Sequence, residues 1–314
     1  MSKKTAIRLE HPDKTVSARE LFGIDCDWKI PAFSEGGEHV PDIDQHYSFD
    51  PITTRAVLAG FAFSRRVLIQ GLHGTGKSSH IEQIAARLNW PCIRINLDSQ
   101  ITRTDLLGRD ALIAEGGDVI TNFQEGLLPY ALRRACALVF DEYDAGRPDV
   151  LFVIQRILEQ EGKLTLLENN QIITPHPMFR LFATANTLGA GDNTGLYQGT
   201  QTLNQGQLDR WQIVTVLNGL PFEREVDIVL AKIKGSTRDT VEKMVRLAQL
   251  TRTGFEARDL SLLMSPRTVL SWAENAIIFG DVAHAFVLSF YNKLETSEQP
   301  IVDEYYQRCF GQKL

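Results

Sequence analysis

Up to about residue 218, short apolar runs alternate with stretches whose apolar residues recur every three or four positions; beyond Pro221 only the second pattern continues. An uninterrupted apolar run suits a strand buried on both faces of a parallel sheet, and the longer period suits an amphipathic helix. Strands are therefore predicted at residues 66–70, 90–96, 137–140, 178–184 and 213–217, and helices at 53–63, 78–88, 127–136 and 148–160. Two stretches, 111–123 around Gly116-Gly117 and 163–174 around Glu168-Asn169-Asn170, read as hairpins. Helical spacing then fills 222–232, 237–251, 267–279, 281–291 and 301–310. This order argues an α/β fold, a three-layer domain with a mainly parallel sheet, followed by a small all-α domain.

The first 46 residues follow neither pattern for long. Pro12, Pro31, Pro41 and Gly36-Gly37 interrupt them, and Ser17 with Glu20 predicts one short capped helix over 17–22. Trp28, Ile30 and Phe33 alternate and need a surface to cover them. The expected division is an extended arm (1–46) lying on the next domain or on a neighbouring subunit, an α/β domain (47–220) and a helical domain (221–314).

Composition narrows the picture modestly. With 43% hydrophobic and 23% charged residues the chain has the balance of a globular protein. Its apolar runs are too short to cross a bilayer and its first residues lack the apolar core of a signal peptide, so a cytoplasmic protein without membrane contact is expected. Cys26, Cys92, Cys136 and Cys309 form no C-x-x-C pair, which argues against a zinc site or disulfide framework. A net charge of −6 offers no electrostatic footprint for nucleic acid.

The chemistry is concentrated after the first predicted strand of the sheet. Gly71-Leu72-His73-Gly74-Thr75-Gly76-Lys77-Ser78 fits G-x-x-x-x-G-K-[ST] between a strand and a helix, the context in which that pattern is a phosphate-binding loop. Its glycines let backbone N–H groups turn toward an anion, and the helix N-terminus adds a positive dipole. Gly71, His73, Gly74, Thr75, Gly76, Lys77, Ser78 and Ser79 are thus the candidate nucleotide-binding residues. Lys77 is placed at the β- and γ-phosphates of a nucleoside triphosphate, and Ser78 at Mg2+. Asp141-Glu142 ends an apolar strand, where open α/β sheets place their ligands. Asp141 is the second candidate for the magnesium, and Glu142 the candidate general base. Asn186, at the end of another strand, suits a hydrogen bond to the attacking water or the γ-phosphate. Arg210, in Leu208-Asp209-Arg210-Trp211, and Arg267, in Ser265-Pro266-Arg267, offer guanidinium groups suited to phosphate.

The order of these motifs resembles the AAA+ ATPases, in particular the MoxR and chelatase branch, over residues 47–314. The resemblance implies a homo-oligomeric ring, usually a hexamer, with ATP at each subunit interface. It makes Arg210 the finger inserted into a neighbour's site and Arg267 the lid arginine of its own subunit. It also makes the two hairpins inserts directed at partners or the pore. Relatives often carry a further Arg shortly before the finger, where this chain has Asn204 and Gln205; Arg147 and Arg156 are the other arginines that could face a neighbour.

The arm sequences Pro31-Ala32-Phe33-Ser34-Glu35 and His39-Val40-Pro41-Asp42-Ile43-Asp44, with the stretch from His80 to Cys92, are similar to the small ATPase subunits of aerobic cobaltochelatases. That similarity implies an ATPase powering Co2+ insertion into hydrogenobyrinic acid a,c-diamide during cobalamin synthesis. It implies two partners: a subunit with an integrin-like (VWA, MIDAS-type) domain and a large tetrapyrrole-binding subunit. The alternatives are a remodelling ATPase that activates another metalloenzyme through such a VWA partner and, against the charge balance, a nucleic-acid motor. His39, Asp42, Asp44 and His46 form a His–carboxylate cluster, read here as part of a solvated or subunit-contacting arm rather than a cobalt site.

Overall fold

A computed structural model describes residues 11–115, 118–159, 161–167, 169–187 and 205–314. The expected hairpin apices at Gly116-Gly117 and Glu168, the helix end at 160, and Asn204 lie outside these residues. The first eighteen regular elements run β1 (Lys14–Ser17), α1 (Ala18–Phe22), β2 (Lys29–Ala32), α2 (Pro51–Phe63), β3 (Val67–Gln70), α3 (Lys77–Arg87), β4 (Cys92–Asn96), α4 (Arg103–Leu107), β5 (Gly108–Glu115), β6 (Asp118–Glu125), α5 (Leu127–Leu132), β7 (Ala137–Asp141), α6 (Pro148–Ile157), β8 (Leu164–Leu166), β9 (Gln171–Ile173), β10 (Arg180–Ala185), α7 (Gln205–Leu208) and β11 (Ile213–Val216). Five helices follow: α8 (Phe222–Lys232), α9 (Arg238–Glu256), α10 (Pro266–Phe279), α11 (Val282–Ser289) and α12 (Gln299–Phe310).

Of the described residues, those within Met1–Asp44, Phe49–Gly71 and Lys77–Leu217 form one compact unit, and those within Gln45–Ser48, Leu72–Gly76 and Asn218–Leu314 a second. The first is built on a five-stranded sheet in the order β11-β3-β10-β7-β4, every pair parallel. Successive side chains of a strand point to opposite faces, and both faces here are apolar. Leu68, Leu138, Phe140, Leu181 and Ala183 join one core with α5, α6 and Trp211. Val67, Ile69, Ala137, Val139 and Phe182 join the other with α2 and α3.

The arm belongs to that second core. Phe22, Ile24, Ile30, Ala32 and Phe33 are buried in it, and Phe33 packs edge-on against Trp90 at 5.3 Å between centroids. The alternation of Trp28 and Ile30 predicts an extended arm; β1 and β2 in fact pair antiparallel, from Lys14 opposite Ala32 to Ser17 opposite Lys29. Ser17 caps α1 by accepting the Glu20 N–H at 3.3 Å. The helix at 127–136 stops at Leu132; beyond it the Cys136 N–H donates to the Arg134 carbonyl at 2.9 Å and the Ala137 N–H to the Pro91 carbonyl at 2.8 Å, bonds that lead into β7 and not along a helix. α4 and α7 were not predicted.

The second unit packs α8 to α12 around Val226, Met244, Trp272, Phe286 and Tyr306. Its one buried carboxylate in α8, Glu225, is compensated by a two-pronged pair with Arg252 at 2.6 and 2.7 Å. No helix among the described residues is long and apolar enough to cross a membrane.

Candidate nucleotide site

The loop begins where β3 ends. The Gly71 N–H donates to the Ala185 carbonyl at 3.2 Å, joining the ends of β3 and β10. Within Leu72–Gly76 the backbone turns through left-handed conformations at Gly74 (φ +76°) and Gly76 (φ +87°), and the Thr75 hydroxyl donates to the Leu72 carbonyl at 2.9 Å. A β-carbon placed on Gly74 would come within 2.5 Å of the Ser265 hydroxyl, so conformation and space both require glycine there. Ser265 is the N-cap of α10 and accepts the Thr268 N–H at 3.3 Å.

In the first unit α3 starts at Lys77 with its first-turn N–H groups free of helical partners, the anion-binding arrangement of a helix N-terminus. The buried Lys77 ammonium donates to the Gly71 carbonyl and to Asn186 Oδ1, both at 2.9 Å. Ser78 Oγ donates to Asp141 Oδ1 at 2.5 Å. The structure therefore brings Lys77, Ser78, Asp141 and Asn186 together at the carboxyl ends of neighbouring strands.

Two residues that sequence reasoning missed complete the surroundings of Asp141. The Thr184 hydroxyl donates to Asp141 Oδ1 and accepts the Glu142 N–H at 3.3 Å. Arg94 forks onto Asp141 Oδ2 through Nη2 and, at 2.9 Å, through Nε. Burial pushes the Asp141 pKa up, but hydrogen bonds from Ser78, Thr184 and Arg94 and the Arg94 charge outweigh it, leaving the carboxyl below its usual range. Arg94 was legible only as the polar position of an alternating strand, and Thr184 only as a polar residue in an apolar run.

Glu142 has the left-handed backbone (φ +55°, ψ 46°) that non-glycine residues adopt at a cost. It opens the 3₁₀ turn Tyr143–Ala145, is half-buried, and its carboxylate makes no hydrogen bond or ion pair among the described residues. The donor set fits the groups the motif implies: Ser78 and Asp141 are hard oxygen ligands of the kind magnesium takes, and Lys77 with the helix N-terminus suits phosphate.

Of the other sequence candidates, His73 and Ser79 are exposed. Arg210 donates to the Gly206 carbonyl and lies 3.9 Å from Glu159, while its neighbour Trp211 packs edge-on against Tyr143 at 5.3 Å. Burial raises the Tyr143 pKa. Arg267 sits in the first turn of α10, exposed and without an ion pair among the described residues. Arg147 and Arg156 pair with Asp149 and Glu159. Among the described residues no three His, Cys, Asp or Glu side chains come together to hold a metal. The backbone of Asp42 and Asp44 is instead tied to Gln83, at 2.9 and 2.8 Å.

Comparison with known proteins places this geometry in context. Residues 8–40 match the family described as "Cobaltochelatase CobS subunit N terminal", and residues 66–201 match "AAA domain (dynein-related subfamily)". Aerobic cobaltochelatase subunit CobS of Sinorhizobium sp is 61% identical over 307 residues, covering 96% of this chain and 92% of that protein. Midasin of Dictyostelium discoideum is 30% identical over 242 residues, 75% of this chain but 4% of its own length. Protein NorQ of Paracoccus denitrificans (strain Pd 1222) is 29% identical over 204 residues, 65% of this chain and 70% of that one.

Proposed function

This chain belongs to the family of the aerobic cobaltochelatase subunit CobS, and we propose that it is the ring-forming ATPase that powers Co2+ insertion into hydrogenobyrinic acid a,c-diamide. The observation that carries this reading is the extent of the likeness, which runs through the arm as well as the ATPase core; the remodelling and nucleic-acid alternatives are not favoured. ATP binding follows from the AAA domain.

The geometry of the strand ends supports the following roles. Lys77 and the glycine loop bind and orient the triphosphate, and Ser78 and Asp141 are the residues that would hold Mg2+. When bound, that ion neutralises charge on the β- and γ-phosphate oxygens. Glu142, whose carboxylate has no partner among the described residues, takes the proton of the attacking water. Asn186 moves from the Lys77 ammonium to the water or the γ-phosphate. Arg210 completes the site of a neighbouring copy, Arg267 contacts the γ-phosphate in its own, and His73 and Ser79 lie beside the nucleotide. The functional division is the arm (1–46), a nucleotide-binding domain (47–220) and a lid (221–314). The assembly is a hexamer that works in the cytoplasm. It works with a VWA, MIDAS-type subunit and a large tetrapyrrole-binding subunit, the hairpins β5–β6 and β8–β9 facing partners.

The test is ATP-dependent Co2+ insertion by the reconstituted subunits, with this chain present, absent or carrying Glu142→Gln. The variant is expected to keep ATP binding and to lose hydrolysis and insertion by on the order of 10²-fold or more. Normal ATP turnover by the variant would remove Glu142 as the base, and insertion at full rate without the chain would remove the function.

A further inference from the structure

Asp144 lies three residues beyond Asp141, in the turn Tyr143–Ala145, and is fully buried. Its Oδ2 accepts three hydrogen bonds: from the Asn186 N–H at 3.0 Å, the Thr187 N–H at 2.8 Å and the Thr187 hydroxyl at 2.8 Å. Its Oδ1 is buried and has no hydrogen-bond partner among the described residues. A buried carboxylate is costly unless its bonds compensate, and here every bond goes to the two residues that follow β10. One of them is Asn186, whose side chain takes the Lys77 ammonium.

The same turn opens at Glu142, whose N–H is held by Thr184. The turn is therefore tied to the end of β10 on either side of Ala185, through the Glu142 N–H to the Thr184 hydroxyl and through the Asp144 carboxylate to Asn186 and Thr187. The left-handed Glu142 needs such bracing to persist.

We propose that Asp144 is a positioning residue that fixes Asn186 relative to Glu142, so that the amide facing the terminal phosphate and the carboxylate activating water keep one spacing. The inference rests on the roles given above to Glu142 and Asn186. It also accounts for a fully buried carboxylate whose bonds go to the segment that carries Asn186.

A double-mutant cycle in the full chain tests it, with ATPase kcat and KM and ADP affinity measured for Asn186→Ala, Asp144→Ala and the double variant. Each single change is expected to lower kcat about tenfold or more, with KM and ADP affinity shifting by less than about threefold. The double variant should be no slower than the slower single variant, because both changes remove one interaction chain. Asp144→Asn keeps an acceptor oxygen and should recover most of the rate. If Asp144→Ala does not fold, the cycle is run with Asp144→Ser, whose shorter side chain leaves the Asn186 N–H without its acceptor, and is judged by the same non-additivity. Wild-type kcat in Asp144→Ala, multiplying effects in the double variant, or loss of ADP binding in Asp144→Asn would overturn the proposal while leaving the role of Asn186 intact. Wild-type kcat in Asn186→Ala would overturn that role and the proposal with it.

Discussion

The strand ends and the hairpins of the first unit treat their side chains in opposite ways. Around Asp141 the polar groups close on one another: Ser78, Thr184 and Arg94 share its two oxygens, and Lys77 is held between Gly71 and Asn186. On the hairpins, large apolar side chains face water: Leu112 is 76% exposed, Leu167 at the end of β8 71%, and Ile172 in β9 68%. The first region is largely closed within one chain, since Asp141 and Lys77 have the partners that burial requires, although Asp144 Oδ1 nearby has none among the described residues. The second is unfinished, since apolar surface left in water gains about 25 cal/mol for every Å² a partner covers. Arg210 lies between these extremes, held by one carbonyl and a loose contact with Glu159. Such a contact is worth little and yields readily to a stronger anion.

The largest test of that contrast is to remove the half-finished group. Arg210→Ala is expected to lower kcat by on the order of 10³ while leaving nucleotide affinity within a few-fold. Mixing it with Glu142→Gln sharpens the result. If Arg210 serves a neighbour, rings that contain both chains pair some intact bases with intact fingers, and part of the activity returns. A mixture as inactive as its parts would place Arg210 outside the neighbour's site and make it as self-contained as Lys77.

Most of the sheet was legible in the chain. Leu68 and Val67 were bound to face opposite ways once residues 66–70 read as a strand, and the two cores divide on that alternation. Lys77 and Ser78 were legible because their spacing is set by the loop itself. Thr184, Arg94 and Asp144 were not, for a physical reason: their partners are 42 to 47 residues away, across strands whose register is set by packing. A threonine in Phe182-Ala183-Thr184-Ala185 reads as a strand residue until Asp141 is placed beside it. The pairing of β1 with β2 was hidden likewise, because Pro31 and the short run around it give no hairpin signal.

The next largest effect should fall on the open region. Leu167→Ser with Ile172→Ser removes exposed apolar surface without touching the strand ends, so ATP hydrolysis by the chain alone is expected to stay within about twofold. If a partner covers these residues, losing both costs it about 2 kcal/mol, or roughly thirtyfold in affinity. Titrating the partner subunits into the Co2+ insertion assay reads this as a raised half-saturating concentration. An unchanged titration would make the hairpin surface ordinary exposure and remove the sharper half of the comparison.

The smallest expected effect concerns how far closure extends into α3. His80 is 1% exposed, and its Nε2 lies 2.9 Å from the Thr54 hydroxyl. Burial lowers its pKa from 6.5 to about 4, against the raising influence of Asp50. The unfolded chain therefore binds a proton more readily than the folded one between these values. The stability contributed by the neutral ring is present above pH 6.5 and is lost as pH falls toward about 4. Between pH 7 and about pH 5.5 the loss is about 1 kcal/mol, roughly a fivefold to tenfold fall in the ratio of folded to unfolded chain. Urea midpoints measured across that range should decline for the wild type and lose this component of the slope in His80→Gln, which keeps a polar group toward Thr54 but has nothing to titrate. Parallel slopes in the two proteins would mean that His80 is hydrated well enough to protonate in place, and that the closed region ends at the strand tips.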